Sequence, residues 1–151
     1  MTGRSTSVWR KLPALLLMCA MMTGCGQPAQ APVSVQDARA NATPAGAGVA
    51  AVYLELTVAE ADTLLSASTT VADHIEMHAT TEDNGMMRMR QLPSVELAAS
   101  QPFSFAPGGA HFMLMGLRQP LLAGMRFPMT LQLEHAGAVD VQVQVVELGS
   151  R

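Results

Sequence analysis

The sequence predicts an all-β domain, an antiparallel sandwich or barrel. About eight or nine short segments alternate apolar and polar residues, as half-buried strands do. Turn-forming residues separate these segments roughly every 8–12 residues, a spacing typical of sandwiches and barrels. No segment has a convincing helical pattern, although residues 60–68 are also compatible with a helical turn.

The predicted strands follow one another with short connections. Their approximate ranges are 33–35, 51–58, 75–79, 86–90, 95–97, 103–105, 111–117, 127–133 and 139–146. Asn84-Gly85 is a strong signal for a tight turn, so the strands on either side of it should form a hairpin. Pro107-Gly108-Gly109 and Ala136-Gly137 are predicted to turn the chain before the last strands.

The N-terminal segment is predicted to direct export and membrane anchoring. Residues 1–11 carry three positive charges, and residues 12–22 form an apolar run of eleven. This run is too short to span a bilayer as a helix, but it fits the hydrophobic part of a secretory signal. Met22-Thr23-Gly24-Cys25 resembles a bacterial lipoprotein cleavage box, in which the cysteine is lipidated.

We therefore expect three parts: a lipoprotein-type signal peptide at 1–24, a lipid-anchored tether at 25–32 and a folded domain at 33–151. Lipid on Cys25 would hold the mature protein on a membrane of the cell envelope, in the periplasm. The alternative is an ordinary cleaved signal followed by an incidental cysteine.

Charge and cysteine content exclude several functions. Beyond residue 24 the chain has six arginines, no lysine and twelve carboxylates, a formal charge of −6. Such a surface argues against binding nucleic acid or anionic lipid headgroups. Cys19 would leave with the signal peptide and Cys25 would carry lipid, so the folded domain has no thiol for disulfides or metal ligation.

Methionine is in clear excess, with twelve in the chain. Together with histidine it forms two clusters: IEMH at 75–78 with MMRMR at 86–90 across the predicted hairpin, and HFMLM at 111–115. Methionine at alternating strand positions is more often core filler than ligand. Two such clusters in a small exported chain without thiols nevertheless raise the alternative of a soft-metal site.

Strand alternation places the donors of each cluster on one face. Residues two apart in a strand share a face, so His111, Met113 and Met115 point the same way. Met87 and Met89 likewise share a face. Thioether sulfur is a soft neutral donor that favours Cu(I), and imidazole also binds copper. The mixture, without thiolates or converging carboxylates, points to copper rather than zinc, calcium or magnesium.

The spacing of four residues resembles the signature of the periplasmic copper chaperone family, often called PCuA-type. His78 is followed by ten residues, Met89, twenty-one residues, His111, one residue and Met113. The resemblance covers most of residues 33–147. It implies an antiparallel Greek-key β-sandwich of the cupredoxin-like kind, with one Cu(I) held by these two histidines and two methionines.

The same resemblance implies a function in copper delivery. The recipient would be a copper-accepting protein, either a cytochrome c oxidase subunit during oxidase assembly or another copper chaperone. Two alternatives remain open: a lipoprotein sandwich that presents a Met-rich patch to a protein partner, and a protein that sequesters copper without delivering it. No nucleophile elbow, phosphate-binding loop or zincin motif is present, so we expect no enzyme activity.

Several further histidine, methionine and glutamate residues are candidate ligands or supports. Met86, Met87 and Met115 are possible substitute thioethers, and Glu76 is a possible orienting group. The remaining three are interpreted as structural: His74, Met77 in the core, and His135 in a surface turn.

Overall fold

The computed structural model describes residues 32–147 and contains ten β-strands and no helix within that range. Thus the all-β prediction is confirmed, and this part of the chain has no helix that could cross a membrane. The strands are β1 Val33–Asn41, β2 Val49–Val58, β3 Asp62–Thr69, β4 Ala72–Asp83, β5 Met86–Leu92, β6 Val95–Leu97, β7 Phe103–Phe105, β8 Ala110–Leu117, β9 Arg126–Leu133 and β10 Ala138–Val146. The predicted leader 1–24 and all but the last residue of the tether 25–32 lie outside the described residues.

The strands form one continuous hydrogen-bonded series that closes over a single core. Their order is β5-β4-β8-β7-β2-β1-β10-β9-β3-β6. Most neighbours are antiparallel, as predicted, whereas β1 with β10 and β7 with β8 are parallel. The β1–β10 pair links the two halves of the series, whose inner faces pack against each other.

Alternating residues of each half fill the core. In β2, alternate positions from Ala50 to Val58 are buried, while the residues between them are partly exposed. Phe112 of β8 is fully buried and stacks on Phe105, with ring centroids 4.3 Å apart. Because side chains alternate, the residues on either side of Phe112 in β8 point to the opposite face of the sheet.

The predicted hairpin at Asn84-Gly85 is confirmed. Asp83 pairs with Met86, so the turn has two residues, and both have positive φ, 51° and 78°. This is the backbone of a type I′ turn, which Asn-Gly favours and which matches the twist of the paired strands. Both strands are longer than the sequence predicts, and β4 begins at Ala72.

Most of the segment at 60–68, which is also compatible with a helical turn, belongs to strand β3, Asp62–Thr69. It pairs with β9 and β6. The register with β9 shifts between Leu64 and Ser66, so one extra residue breaks the alternation that would identify a strand. The exposed Leu65 lies at this irregularity.

A buried carboxylate ties the start of β3 to the turn between β9 and β10. Asp62 accepts backbone N–H bonds from Thr63 at 2.7 Å, His135 at 3.0 Å and Ala136 at 2.8 Å. Burial alone would raise the pKa of Asp62, but these donors and the His135 side chain hold it well below its usual range. The His135 ring is largely exposed, as predicted, and its Nδ1 lies 3.1 Å from Asp62 Oδ1.

Candidate metal centre

The outer face of β5, β4 and β8 gathers the predicted donors. In the β4–β8 register His78 is directly opposite His111, and Glu76 is opposite Met113. In the β4–β5 register Met89 is opposite Thr80, two residues along β4 from His78. Directly opposed residues share a face. The four predicted ligands therefore lie on one face, with the two histidines and Met113 closest to its centre.

The two imidazoles are close and well covered. Their ring centroids are 6.0 Å apart with an interplanar angle of 63°. His111 is only 5% exposed and the His78 side chain 15%. A metal held between them would be shielded from bulk water on this side.

One ring nitrogen of His111 is hydrogen-bonded, and the other is available to bind a metal. Its Nδ1 lies 3.0 Å from the carbonyl oxygen of Gly109. A carbonyl only accepts hydrogen bonds, so Nδ1 carries the proton and donates it. The lone pair is then on Nε2, and the bond to Gly109 fixes both the tautomer and the ring orientation, as backbone carbonyls do for metal-binding histidines.

His78 has the opposite arrangement. Its Nε2 lies 2.8 Å from Glu76 Oε2, whereas its Nδ1 is buried and has no hydrogen-bond partner. If Nε2–H donates to the carboxylate, Nδ1 has a buried lone pair that nothing in this part of the chain satisfies. Leaving a buried polar atom unpaired costs about 1–3 kcal/mol, which a bound metal would relieve. The donor set thus fits a metal ion.

Glu76 is tied to two histidines. Besides His78, it lies 3.5 Å from His74 Nε2 through its other carboxylate oxygen. The hydrogen bond from His78, followed by weaker effects of His74, holds the pKa of Glu76 below its usual range against the opposing effect of burial. An ionised carboxylate beside a ligating imidazole raises the basicity of the ligand.

The thioethers differ in exposure. Met113 is half-buried beside the imidazole pair, whereas Met89 is 57% exposed on the edge strand β5. Within residues 32–147, no group of three or more His, Cys, Asp or Glu side chains could hold a metal by itself. The thioethers on this face are soft donors suited to Cu(I).

The structure also places the remaining candidates. Met77 is buried opposite Phe112, which confirms it as core. Met86 and Met87 are exposed near the hairpin tip, with Met87 on the same face as Met89. Cys25 lies outside the described residues.

Two cross-strand contacts of this face were not predicted. Tyr53 of β2 packs against the His111 ring, with centroids 6.4 Å apart. His74, which the sequence analysis interprets as structural, shares the face of His78 four residues along β4 and lies opposite Met115. The spacing from His78 indicates the shared face, but no local signal shows which strands become neighbours.

Several solved structures have a similar fold. The copper-bound PCuAC domain from PmoF2 aligns with a TM-score of 0.66 and 19% identity, over 78% of this chain and 95% of that one. The apo PCuAC domain from PmoF1 gives 0.65 and 22%, over 78% and 96%. These likenesses confirm the cupredoxin-like β-sandwich. The solution structure of CuI-DR1885 from Deinococcus radiodurans gives 0.64 at 31% identity, over 78% and 81%.

The fold described above is that of the PCuAC domains, the class that the sequence resemblance predicts. Residues 33–145 match the family described as "Putative lipoprotein LpqE-like", and the chain belongs to that family. A protein named "Putative lipoprotein Lxx21020", from Leifsonia xyli subsp. xyli (strain CTCB07), is 30% identical over 135 residues, 82% of this chain and 81% of that protein. Two of the similar structures contain copper by name.

Proposed function

We propose that this protein is an exported copper chaperone that binds one Cu(I) through His78, Met89, His111 and Met113. The observation that carries the proposal is the opposed pair His78 and His111, each with one uncommitted ring nitrogen, beside the Met113 thioether. Similarity to proteins named as copper-bound PCuAC domain and CuI-DR1885 supports copper as the ion.

Transfer follows from the chemistry of this ligand set. Two imidazoles and two thioethers are neutral, so bound Cu(I) keeps its single positive charge and can leave by ligand exchange. Met89 is exposed, so an incoming ligand from another protein can reach the ion from its side of the face. The recipient we propose is a copper-accepting protein, a cytochrome c oxidase subunit or another copper chaperone. Sequestration without delivery would use the same ligands.

We also propose that residues 1–24 are removed as a lipoprotein signal peptide and that Cys25 carries the lipid. The tether 25–32 would then hold the domain on a membrane of the cell envelope, on the periplasmic side. Relatives described as lipoproteins support this placement.

The test is an anaerobic Cu(I) competition titration of the full chain against a coloured chelator. We expect one tightly bound equivalent, and a loss of affinity of about a hundredfold or more, roughly 3 kcal/mol, in His111→Ala and in Met113→Ala. Met86→Leu is the matched control, because Met86 is an exposed thioether on the other face of β5. Unchanged affinity in both ligand variants would exclude this site.

A protein-interaction module is the second candidate. Met86, Met87 and Met89 form an exposed methionine cluster at the end of the β4–β5 hairpin, and flexible thioethers suit adaptable binding surfaces. This function predicts partner capture that is indifferent to copper and to chelators. Capture that requires Cu(I) would instead support copper transfer.

A further inference from the structure

The ligand face continues past the proposed Cu(I) site. Two residues along each strand from the Glu76–Met113 pair, His74 of β4 is directly opposite Met115 of β8. Opposed residues of antiparallel strands have Cβ atoms about 4.5–5.5 Å apart on one face. A third imidazole and a third thioether therefore adjoin each other, on the same face as the first set.

Glu76 connects the two positions. Its Oε2 lies 2.8 Å from His78 Nε2 and its Oε1 lies 3.5 Å from His74 Nε2. The same carboxylate thus contacts an imidazole of the inner site and the imidazole of the outer pair. The two histidines differ in access: the His74 side chain is 60% exposed, and that of His78 is 15% exposed. Of the two histidines, His74 is therefore the more accessible to an ion arriving from solvent.

We propose that His74 and Met115 form a second, outer Cu(I) position, with Glu76 at its inner edge. Imidazole nitrogen and thioether sulfur both bind Cu(I), and the Glu76 carboxylate supplies negative charge beside the ion. With two donors instead of four, the outer position binds more weakly and releases the ion readily. It receives copper from solvent or from a donor and passes it along the face to His78. This inference rests on the proposed function of the inner site and deepens it.

A purely structural role for His74 gives a different expectation. Its polar contact within residues 32–147 is with Glu76, and a partly exposed contact of this kind adds little to stability. Replacing His74 should therefore leave the fold intact, so that copper stoichiometry reports ligation directly.

The experiment is an anaerobic titration of the full chain with Cu(I), followed by NMR of carbon-13-labelled methionine methyl groups. The first equivalent should shift the Met89 and Met113 signals. A second, weaker equivalent should shift Met115. In His74→Gln and in Met115→Leu the second equivalent should be lost, whereas the first should bind as in the unmodified chain. His135→Gln is the control, because it removes an exposed imidazole from the turn between β9 and β10, outside this face.

Each outcome is decisive. One bound equivalent in the unmodified chain, with Met115 unmoved at excess Cu(I), overturns the outer position and leaves the inner site standing. Retention of the second equivalent in His74→Gln also overturns it, because the ion is then held elsewhere. Failure to bind even the first equivalent rejects the proposed function itself.

Discussion

The two central histidines differ in which ring nitrogen is left for a metal. His111 gives its Nδ1 proton to Gly109, which leaves Nε2, whereas His78 directs Nε2 to Glu76, which leaves Nδ1. Each ring is held by a residue two positions earlier in the chain. The arrangement pre-orients two nitrogen donors before any metal arrives, which reduces the ordering cost of binding.

Glu76 should strengthen copper binding although it is not one of the proposed ligands. In Glu76→Ala, His78 loses the carboxylate that fixes its tautomer and orientation, and Cu(I) affinity should fall about 10–100-fold. A competition titration measures this fall. Glu82→Ala is the matched control. It removes the same charge from the same face of β4, nearer the hairpin turn and outside the proposed site. Equal affinities of the two variants would mean that Glu76 acts only through its charge or not at all.

Among the elements, β4 and β8 determine the geometry of the site. Their register sets three cross-strand pairs on one face: His78 with His111, Glu76 with Met113 and His74 with Met115. A shift of one strand by one residue would turn all the donors of that strand toward the core. The buried partners Met77 and Phe112 on the opposite face hold this register by packing.

Gly116, at the end of β8, should be required for β4–β8 pairing. It has φ of +69°, and a Cβ there would collide with the side chain of Asp73 in β4. Gly124 has φ of +88° with open space around a Cβ, so it isolates the cost of the backbone conformation. We expect Gly124→Ala to lower the free energy of unfolding by about 1–2 kcal/mol. Gly116→Ala should lower the free energy of unfolding by about 1–3 kcal/mol more than Gly124→Ala, because its Cβ also overpacks against Asp73.

Chemical denaturation measures both glycine variants. If Gly116→Ala costs no more than Gly124→Ala, then Asp73 moves aside freely and the close approach of β4 and β8 is not a constraint.

At the scale of the whole molecule, Asp62 should make stability depend on acid pH. Its pKa is lowered in the folded state, so its contribution is fully present above the unfolded pKa, about 3.9, and declines as pH falls below it. Asp62→Asn places an amide N–H₂ against backbone donors and should cost about 1.5–3 kcal/mol at neutral pH. It should also flatten the loss of stability toward low pH.

Thermal unfolding of Asp62→Asn from pH 7 to pH 3 measures both effects. Asp140→Asn is the control, because Asp140 is an exposed carboxylate that accepts one hydrogen bond, from Thr130. An acid profile for Asp62→Asn that parallels the unmodified chain would assign the acid sensitivity to other carboxylates.

Membrane attachment should depend on Cys25. We expect the unmodified chain, expressed in a bacterium, to incorporate labelled fatty acid and to sediment with membranes. Cys25→Ser should lose both properties. Cys19→Ser is the control, because Cys19 lies within the predicted leader. Fatty-acid labelling that persists in Cys25→Ser would reject the lipoprotein assignment.

Much of this protein could be predicted from the order of its residues. Strand alternation, the Asn84-Gly85 turn and the shared face of His111 and Met113 depend on neighbours within a few positions, and the structure agrees with each. Strand β3 could not be identified as firmly, because the irregularity after Leu64 interrupts its alternation. The positions of the four proposed ligands followed from family spacing, and their ligation remains a prediction.

The sequence by itself determined the fold class, the tight hairpin and which side chains of each strand point together, because these depend on local backbone sterics and on a period of two. Only the tertiary structure decided that His78 faces His111, that Glu76 contacts both His74 and His78, and that Asp62 meets the β9–β10 turn. Those contacts join residues far apart in the chain. They are set by the packing of the whole core, which fixes strand order and register together, and no local pattern encodes that choice.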